Sequence, residues 1–228
     1  WARWLGPAPK HEFDLTRFFR WRCFWEYSGG VATDLWVHEL TTMHEIMDVK
    51  APRSAVAQGG IYRFDDGRTV PDLMTGVYDY PGFILEITAN LGNSTRAGGG
   101  MLILGSEGTL TSTGRAVTVT YEPPASPIAA YGLNGWTKAA KEKYLESIGF
   151  GGGKRPQLPP TKQPQAFPVE RGLEHHEHFI KSIREGTPSR ETAEEGHYAA
   201  GAAHLGNMAF RKKRRMNWDI VTNKVTEG

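Results

Sequence analysis

The spacing of apolar residues changes along the chain, and each pattern predicts a different kind of element. In residues 31–49 the apolar positions recur with the helical period of about 3.6 residues. They form one stripe made of Trp36, Leu40, Met43 and Met47. A glycine pair at residues 29–30 precedes this segment and Pro52 follows it, so we expect an amphipathic helix between them.

Residues 53–122 follow a period of two, which predicts half-buried strands. The alternation is clearest in residues 83–91. Turn-forming pairs such as Asp66-Gly67 and Pro81-Gly82 separate the runs SAVAQGGIYRF, LMTGVYDY, MLILGS and AVTVTY. The connections are too short for the crossover helices that parallel neighbours need. We therefore expect one open, mainly antiparallel sheet.

The remainder of the chain alternates between an irregular stretch and helices. Residues 123–170 form a Pro/Gly-rich insertion with one short helix near residues 137–148. Helical spacing returns with Leu173, Phe179, Ile180 and Ile183, and the capping box Thr192-x-x-Glu195 opens a further helix. The predicted fold class is α+β, with helices packed on one face of the sheet. We expect a single domain over residues 1–228, in which residues 171–228 are the C-terminal helices.

Composition excludes several classes of protein. The 228 residues are 39% hydrophobic and 11% aromatic, and no apolar run approaches the roughly 18 residues of a membrane helix. Cys23 is the single cysteine, which excludes an internal disulfide framework. The net charge is +2, but the run Arg211–Arg215 contributes +5 and the rest carries −3. Such a run suits the last turn of a helix, and we expect neither a nucleic-acid nor a membrane partner.

Asp34 and His38 are the strongest candidates for chemistry. They are four residues apart in the predicted helix, so their side chains can meet. A carboxylate beside an imidazole orients the ring and tunes it for general acid–base catalysis near neutral pH. The same spacing also suits an ordinary Asp–His pair on a helix surface, and the motif alone does not separate the two interpretations.

The sequence gives weaker support for a metal site or a phosphate-binding loop. His44 opens HEIMD, which lacks the second histidine of the zinc-protease pattern. His175 and His178 are three residues apart but have no evident third ligand, so we expect no metal. GFGGGK at residues 149–154 lacks the first glycine and the Ser/Thr of a phosphate loop, where Ile148 and Arg155 stand.

Four segments together resemble the C-terminal part of Gfo/Idh/MocA-family oxidoreductases. They are WARWLGPAP, FDLTRFFRWRCFWEYSGGVATDLWVHEL, PRSAVAQGGIYRF and EEGHYAAGAAHLGNMAFRKKRRMNWD. The resemblance covers nearly the whole chain and is weakest in residues 123–170. It implies a C-terminal α/β domain whose large antiparallel sheet supplies a substrate pocket and an oligomer interface. Residues 1–30 would then lead in from an N-terminal Rossmann domain that this chain lacks, and we expect the chain to be part of a longer one.

The same resemblance implies an activity. Asp34 and His38 match the family's Asp-x-x-x-His catalytic pair, with His38 near the nicotinamide and Asp34 holding it. The implied reaction is reversible oxidation of a secondary CH–OH group on a sugar, cyclitol or related polyol. NAD or NADP would be bound mainly by the missing domain, which would also supply a catalytic lysine, so this chain alone should be inert.

Residues around the pair are candidates for ligand contacts. Arg20, Trp21, Arg22 and Tyr27 lie just upstream and offer donors and a stacking face to a polyhydroxylated substrate. They would equally serve to anchor the segment to the sheet. Arg3 and Trp4 are candidate cofactor contacts from the first segment.

Two other functions stay open at this stage. A variant of the same family would oxidise its substrate transiently and then cleave a glycosidic bond or eliminate, regenerating NAD in each cycle. Alternatively the chain is a non-catalytic binding or assembly module, because an open sheet leaves one face to cover and favours a homo-oligomer. The compartment is not fixed: a cytoplasmic location is favoured, and the twin-arginine signals of some relatives keep a periplasmic one open.

Overall fold

The computed structural model describes residues 1–93, 100–113, 116–126, 128, 130, 132–150, 152, 158–168 and 174–228. Internal contacts divide the chain into two compact units, Trp1–Thr95 with His175–Gly228 and Arg96–Glu174. The single domain predicted over residues 1–228 stays a prediction, because compactness does not test independent folding. Leu173 and Arg155, used in the sequence predictions, lie outside the described residues.

The first unit opens with short helices and then the predicted amphipathic one. Its first elements are α1 (Ala2–Leu5), α2 (Leu15–Phe19), a 3₁₀ turn (Trp21–Cys23), a π-helical turn (Ala32–Trp36) and α3 (Val37–Met47). Helix α3 ends before Pro52, since Asp48 adopts a left-handed backbone with φ of 50° and its N–H bonds to the His44 carbonyl. The helix therefore ends at Asp48, whereas the sequence had suggested that Pro52 stops it.

A five-stranded antiparallel sheet forms the centre of this unit. Its strands are β1 (Ser54–Gly60), β2 (Leu73–Tyr80), β3 (Phe83–Asn90), β8 (Met216–Asp219) and β9 (Lys224–Glu227), in the order β3-β2-β1-β8-β9. Tyr80 pairs with Phe83, so Pro81-Gly82 forms the predicted two-residue turn. Strands β8 and β9 lie in the region predicted as helices only.

The core lies between this sheet and two helices. Helix α6 (Ala193–Lys212) contacts β1 and β8, and α3 packs against α6. Trp36 and Leu40 from the predicted stripe are buried against Tyr78 of β2. The backbone of α6 approaches this cluster at Gly206, where a Cβ atom would collide with the Tyr78 hydroxyl. The stripe read from the sequence is therefore the core face of the helix.

The second unit contains a separate sheet. Its strands are β4 (Met101–Leu104), β5 (Gly108–Ser112), β6 (Ala116–Tyr121) and β7 (Gln165–Pro168), paired antiparallel in chain order. A 3₁₀ turn (Leu133–Gly135) and helix α4 (Lys138–Ser147), capped by the Thr137 side chain, belong to it. The α+β class with antiparallel sheets is confirmed. The prediction of a single sheet is wrong, because the described strands form two sheets, one of five strands and one of four.

Two helices follow in the C-terminal part of the first unit. Helix α5 (Glu174–Glu185) has no buried residue, and α6 begins with the predicted capping box of Thr192 and Glu195. The basic run extends past the end of α6, and Arg215 bonds to Ser54 and pairs with Asp79 of the sheet. Among the described residues, no helix combines the length and apolar character needed to cross a membrane.

Candidate active site

Asp34 lies in a π-helical turn that the sequence pattern does not predict. The wider turn spans Ala32–Trp36, and the Val37 N–H reaches the Ala32 carbonyl five residues back. Single π-turns within helices are rare and often occur at functional sites. The turn lets Trp36, 1% exposed, enter the core while Asp34 stays at the surface. Burial of the tryptophan therefore fixes where the carboxylate is presented.

Arg22 is the partner of Asp34. Its Nε atom donates a 3.0 Å hydrogen bond to Asp34 Oδ1, and the two side chains are 57% and 44% exposed. The Arg22 guanidinium also lies over the Trp21 ring, 4.4 Å from its centroid. Three of the predicted site residues thus meet in one cluster at the π-turn.

His38 follows one turn later, on the exposed side of α3. Within the described ranges, no hydrogen bond or ion pair joins its ring to Asp34. The π-turn changes the rotation between residues 34 and 38 from that of a regular α-helix, on which the expected contact was based. Both side chains lie at the exposed start of one helical segment, but Asp34 is bound by Arg22, which precedes that segment.

Arg20 belongs to a different cluster. Its Nη1 lies 3.6 Å from Asp66 Oδ2, and Arg68 binds the same carboxylate through two hydrogen bonds of 2.8 Å. The Arg68 side chain is only 4% exposed. Its hydrogen bonds lower the pKa of Asp66 to about 2. Two guanidinium groups around one carboxylate leave a net positive charge beside the exposed Arg20.

A buried carboxylate supports the loop that carries this cluster. Asp72 accepts hydrogen bonds from the backbone N–H groups of Tyr62, Arg63 and Phe64. Burial opposes the charged form of Asp72, but these three bonds keep its pKa below the usual range. The sequence marked Asp66-Gly67 only as a turn, and its ion pairs were missed.

Tyr27 and Trp4 meet in an aromatic cluster near the N-terminus. Their rings are 5.2 Å apart, and Trp4 stacks on Trp1 at 4.8 Å. The Tyr27 hydroxyl accepts a bond from Arg17, which also pairs with Glu26. Trp4 keeps 38% of its surface exposed. This segment is therefore held together by its own side chains, while leaving one indole partly accessible.

Asn207 of α6 holds the glycine pair that precedes the π-turn. Its Nδ2 donates a 2.6 Å bond to the Gly29 carbonyl, and its Oδ1 has no partner in the described part of the chain. Gly30 adopts a φ of 63°, which favours glycine. Asn207 also borders a cavity of about 320 Å³ beside Trp25 and Tyr27. The sequence offered no signal for this contact, which joins residues 178 apart.

The other candidate histidines are accounted for differently. His44 is 9% exposed and shares a 2.8 Å hydrogen bond with the Tyr80 hydroxyl. Burial lowers the pKa of His44 to about 4, which keeps the ring neutral. His178 bonds to Arg190. The described residues contain no group of three or more His, Cys, Asp or Glu side chains placed to hold a metal ion.

A family model matches residues 4–217 of the chain. It describes the C-terminal alpha/beta domain of an oxidoreductase family, GFO_IDH_MocA. The match includes the segments that carry Asp34 and His38. No curated protein matches the sequence.

Solved structures share the fold at low sequence identity. An NAD-binding protein from Listeria innocua has a TM-score of 0.54 at 16% identity and is matched over 93% of this chain and 56% of its own. An oxidoreductase from Agrobacterium radiobacter, in complex with NAD+, L-tartaric acid and magnesium, has a TM-score of 0.55 at 15% identity. The match covers 90% of this chain and 53% of that protein.

A third similar structure is a UDP-N-acetylglucosamine 3-dehydrogenase from Acidithiobacillus ferrooxidans. Its TM-score is 0.56 at 14% identity, over 80% of this chain and 49% of its own. The chain spans about half the length of each of these three proteins. At such identities the similarity establishes the fold.

Proposed function

The chain belongs to the Gfo/Idh/MocA oxidoreductase family, as its C-terminal α/β domain, and on this premise we propose that it forms the substrate side of a nicotinamide-dependent dehydrogenase. The substrate class is a sugar, cyclitol or related polyol with a secondary CH–OH group. The observation that carries the proposal is the exposed start of one helical segment, which presents Asp34 and His38 within the family match.

His38 is the proposed proton acceptor. A neutral imidazole takes the hydroxyl proton as the carbon-bound hydride leaves, so that no free alkoxide has to form. A bound nicotinamide cofactor supplies the hydride acceptor. In the reverse direction the imidazolium returns the proton to the carbonyl oxygen. Asp34 lies one turn earlier on the same helical segment and is the second member of the proposed pair.

The remaining predicted residues fit ligand contacts to different degrees. Trp21 lies beside the Arg22–Asp34 pair and is the proposed substrate contact nearest to it, while Arg22, also predicted as a substrate contact, is bonded to Asp34. Arg20 offers its half-exposed guanidinium from the Asp66 cluster, while Tyr27 is largely engaged by Trp4 and Arg17.

The N-terminal segment offers the cofactor a positively charged side chain, Arg3, and a partly exposed aromatic ring, Trp4. In the described ranges the Arg3 guanidinium makes no hydrogen bond or ion pair, and Trp4 is partly exposed. These two side chains fit an anionic, ring-bearing ligand, and they are the proposed contacts to NAD or NADP. Two of the similar structures contain or bind NAD, which supports a nicotinamide cofactor.

The direct test uses the complete protein that contains this domain. It is incubated with NAD+ or NADP+ and a panel of sugars and cyclitols, and reduced nicotinamide is measured by absorbance. We expect net reduction with at least one polyol, and His38→Ala should lower turnover by about 10²–10⁴-fold while cofactor binding is retained. Unchanged turnover in His38→Ala would contradict the assignment. Substrate cleavage without net reduction would instead favour the glycosidase or lyase variant.

A homo-oligomer through the sheet is a second proposal, with its own observation. The face of the five-stranded sheet opposite the core exposes Val56, Val77 and Ile84, at 45%, 38% and 72%. Apolar side chains on an open sheet face favour contact with a second copy. Analytical ultracentrifugation should show an oligomer that Ile84→Lys weakens. A monomeric wild-type protein would overturn this second proposal alone.

A further inference from the structure

The two oxygens of the Asp34 carboxylate have unequal surroundings. Oδ1 accepts the 3.0 Å bond from Arg22, whereas Oδ2 has no partner in the part of the chain that the structure describes. The carboxylate is thus anchored at one oxygen and open at the other. The π-turn fixes the backbone beneath it.

Arg22 is itself restrained from two directions. Its guanidinium lies over the Trp21 ring, and its Nε donates to Asp34, so two contacts hold the group in place. Its terminal nitrogens make no hydrogen bond within the described ranges. An exposed ion pair of this kind adds little to stability, so stability does not explain the arrangement.

Without Arg22, the Asp34 carboxylate would be free to rotate away from the reacting groups. Loss of a defined orientation is costly for catalysis, since a displacement of about 1 Å can reduce a rate by about 10²-fold. We propose that Arg22 is a positioning residue, which anchors Oδ1 of Asp34 and leaves Oδ2 open to His38 or the substrate hydroxyl. This inference rests on the proposed function and assigns Arg22 a role other than direct substrate binding.

The geometry requires arginine at this position. Lysine has no counterpart of Nε, and its ammonium group cannot stack flat on an indole while donating in the ring plane to a carboxylate. Arg22→Lys should therefore behave much like Arg22→Ala, although it retains the positive charge.

A first experiment observes the contact without cofactor or substrate. The protein is labelled with ¹⁵N-arginine, and the Nε–H signal of Arg22 is assigned by its disappearance in Arg22→Lys. We expect Asp34→Asn to shift this signal and His38→Ala to leave it in place. A signal that does not respond to Asp34→Asn would overturn the proposal.

A second experiment measures steady-state nicotinamide reduction by the complete enzyme at varied substrate concentration. Arg22→Ala should lower kcat by about 10–100-fold with little change in KM. The double variant Arg22→Ala/Asp34→Asn should be no slower than Asp34→Asn alone, because each change removes the same interaction, the hydrogen bond between Arg22 and Asp34. Added guanidinium ion should restore part of kcat to Arg22→Ala.

The matched control is Arg214→Ala, which removes another exposed arginine–carboxylate pair, the one with Glu227. It should keep wild-type kcat and show no response to guanidinium. A higher KM at unchanged kcat in Arg22→Ala, or singles whose effects multiply in the double variant, would overturn the proposal in favour of direct substrate contact.

The two proposals fail in different ways. If the wild-type enzyme reduces no nicotinamide with any polyol, the proposed function is overturned and the catalytic role of Arg22 with it, whatever the NMR signal shows. If the wild type turns over and Arg22→Ala matches its kcat, only the role of Arg22 is overturned.

Discussion

His38 and His44 lie six residues apart in helix α3, yet their surroundings are opposite. His38 is exposed near the π-turn, whereas His44 is 9% exposed and bonded to Tyr80. Burial lowers the pKa of His44 to about 4, so its ring stays neutral over the range in which a histidine usually exchanges protons. The same residue type is thus exposed to solvent at one end of the helix and buried in the core at the other.

The difference follows from the helical period. Six residues rotate the chain by more than half a turn past one full revolution, which places the two rings on different faces. One face carries the core stripe with Trp36 and Leu40, and the other meets solvent. Position on the helix, more than residue type, therefore separates a candidate proton acceptor from a packing residue.

The largest expected effect tests this comparison with one substitution at two positions. In the complete enzyme, His38→Gln should lower kcat by about 10²–10⁴-fold, since glutamine cannot accept a proton. His44→Gln should leave kcat within a few-fold of the wild type, measured at neutral pH. Equal losses at both positions would show that the exposed and buried rings do not differ in role.

For the free energy of unfolding, the buried position of the π-turn should matter more than the exposed one. Trp36→Ala should reduce the free energy of unfolding by about 3–5 kcal/mol, because it empties a buried site against Tyr78. The neighbour Leu35, which is 39% exposed, serves as the control, and Leu35→Ala should cost far less. Denaturant titration measures both. Similar losses for the two variants would contradict the core position assigned to Trp36.

The pH dependence of stability isolates His44. Its pKa is about 4 in the folded chain and about 6.5 when unfolded, so the unfolded state binds more protons below pH 6.5. Stability should fall as the pH drops from about 6.5 to 4, by roughly 3 kcal/mol from this group. His44→Gln should remove this part of the acid sensitivity, and the exposed His175→Gln should not. If the free energy of unfolding of the wild type and of His44→Gln changed with pH in parallel, the role assigned to His44 would be contradicted.

The smallest effect concerns the two carboxylates that bind arginines. Asp34→Asn should change the free energy of unfolding by less than about 1 kcal/mol, because its pair with Arg22 is exposed. Asp66→Asn should cost more, since it leaves the buried guanidinium of Arg68 without its carboxylate. Thermal unfolding of the two variants ranks them, and the opposite order would mean that the Arg22 pair serves stability after all.

Local patterns in the sequence predicted much of the fold. The stripe of Trp36 and Leu40, the alternation in β3, the Pro81-Gly82 turn and the capping box of α6 each depend on neighbours within a few positions. Such features follow from backbone geometry and side-chain spacing, which the sequence contains directly. Asp34 and His38 were found in the same way, as a motif on a predicted helix.

Features that join distant positions could not be predicted. Pairing of β1 with β8 joins Ser54 to Asn217, and the division into two sheets depends on which strands pair. Alternation predicts a strand but not its partner. Strands β8 and β9 have only four residues each, too few for a clear period.

The sequence by itself determined the helix with its apolar stripe, the antiparallel strands and the two residues proposed for proton transfer. Only the tertiary structure decided the surroundings of these ionisable groups: His44 is buried against Tyr80, Asp34 is bound by Arg22, and Arg20 faces Asp66. The physical reason is that periodicity follows from neighbours along the chain, whereas burial and charge pairing depend on groups that folding brings together from distant positions.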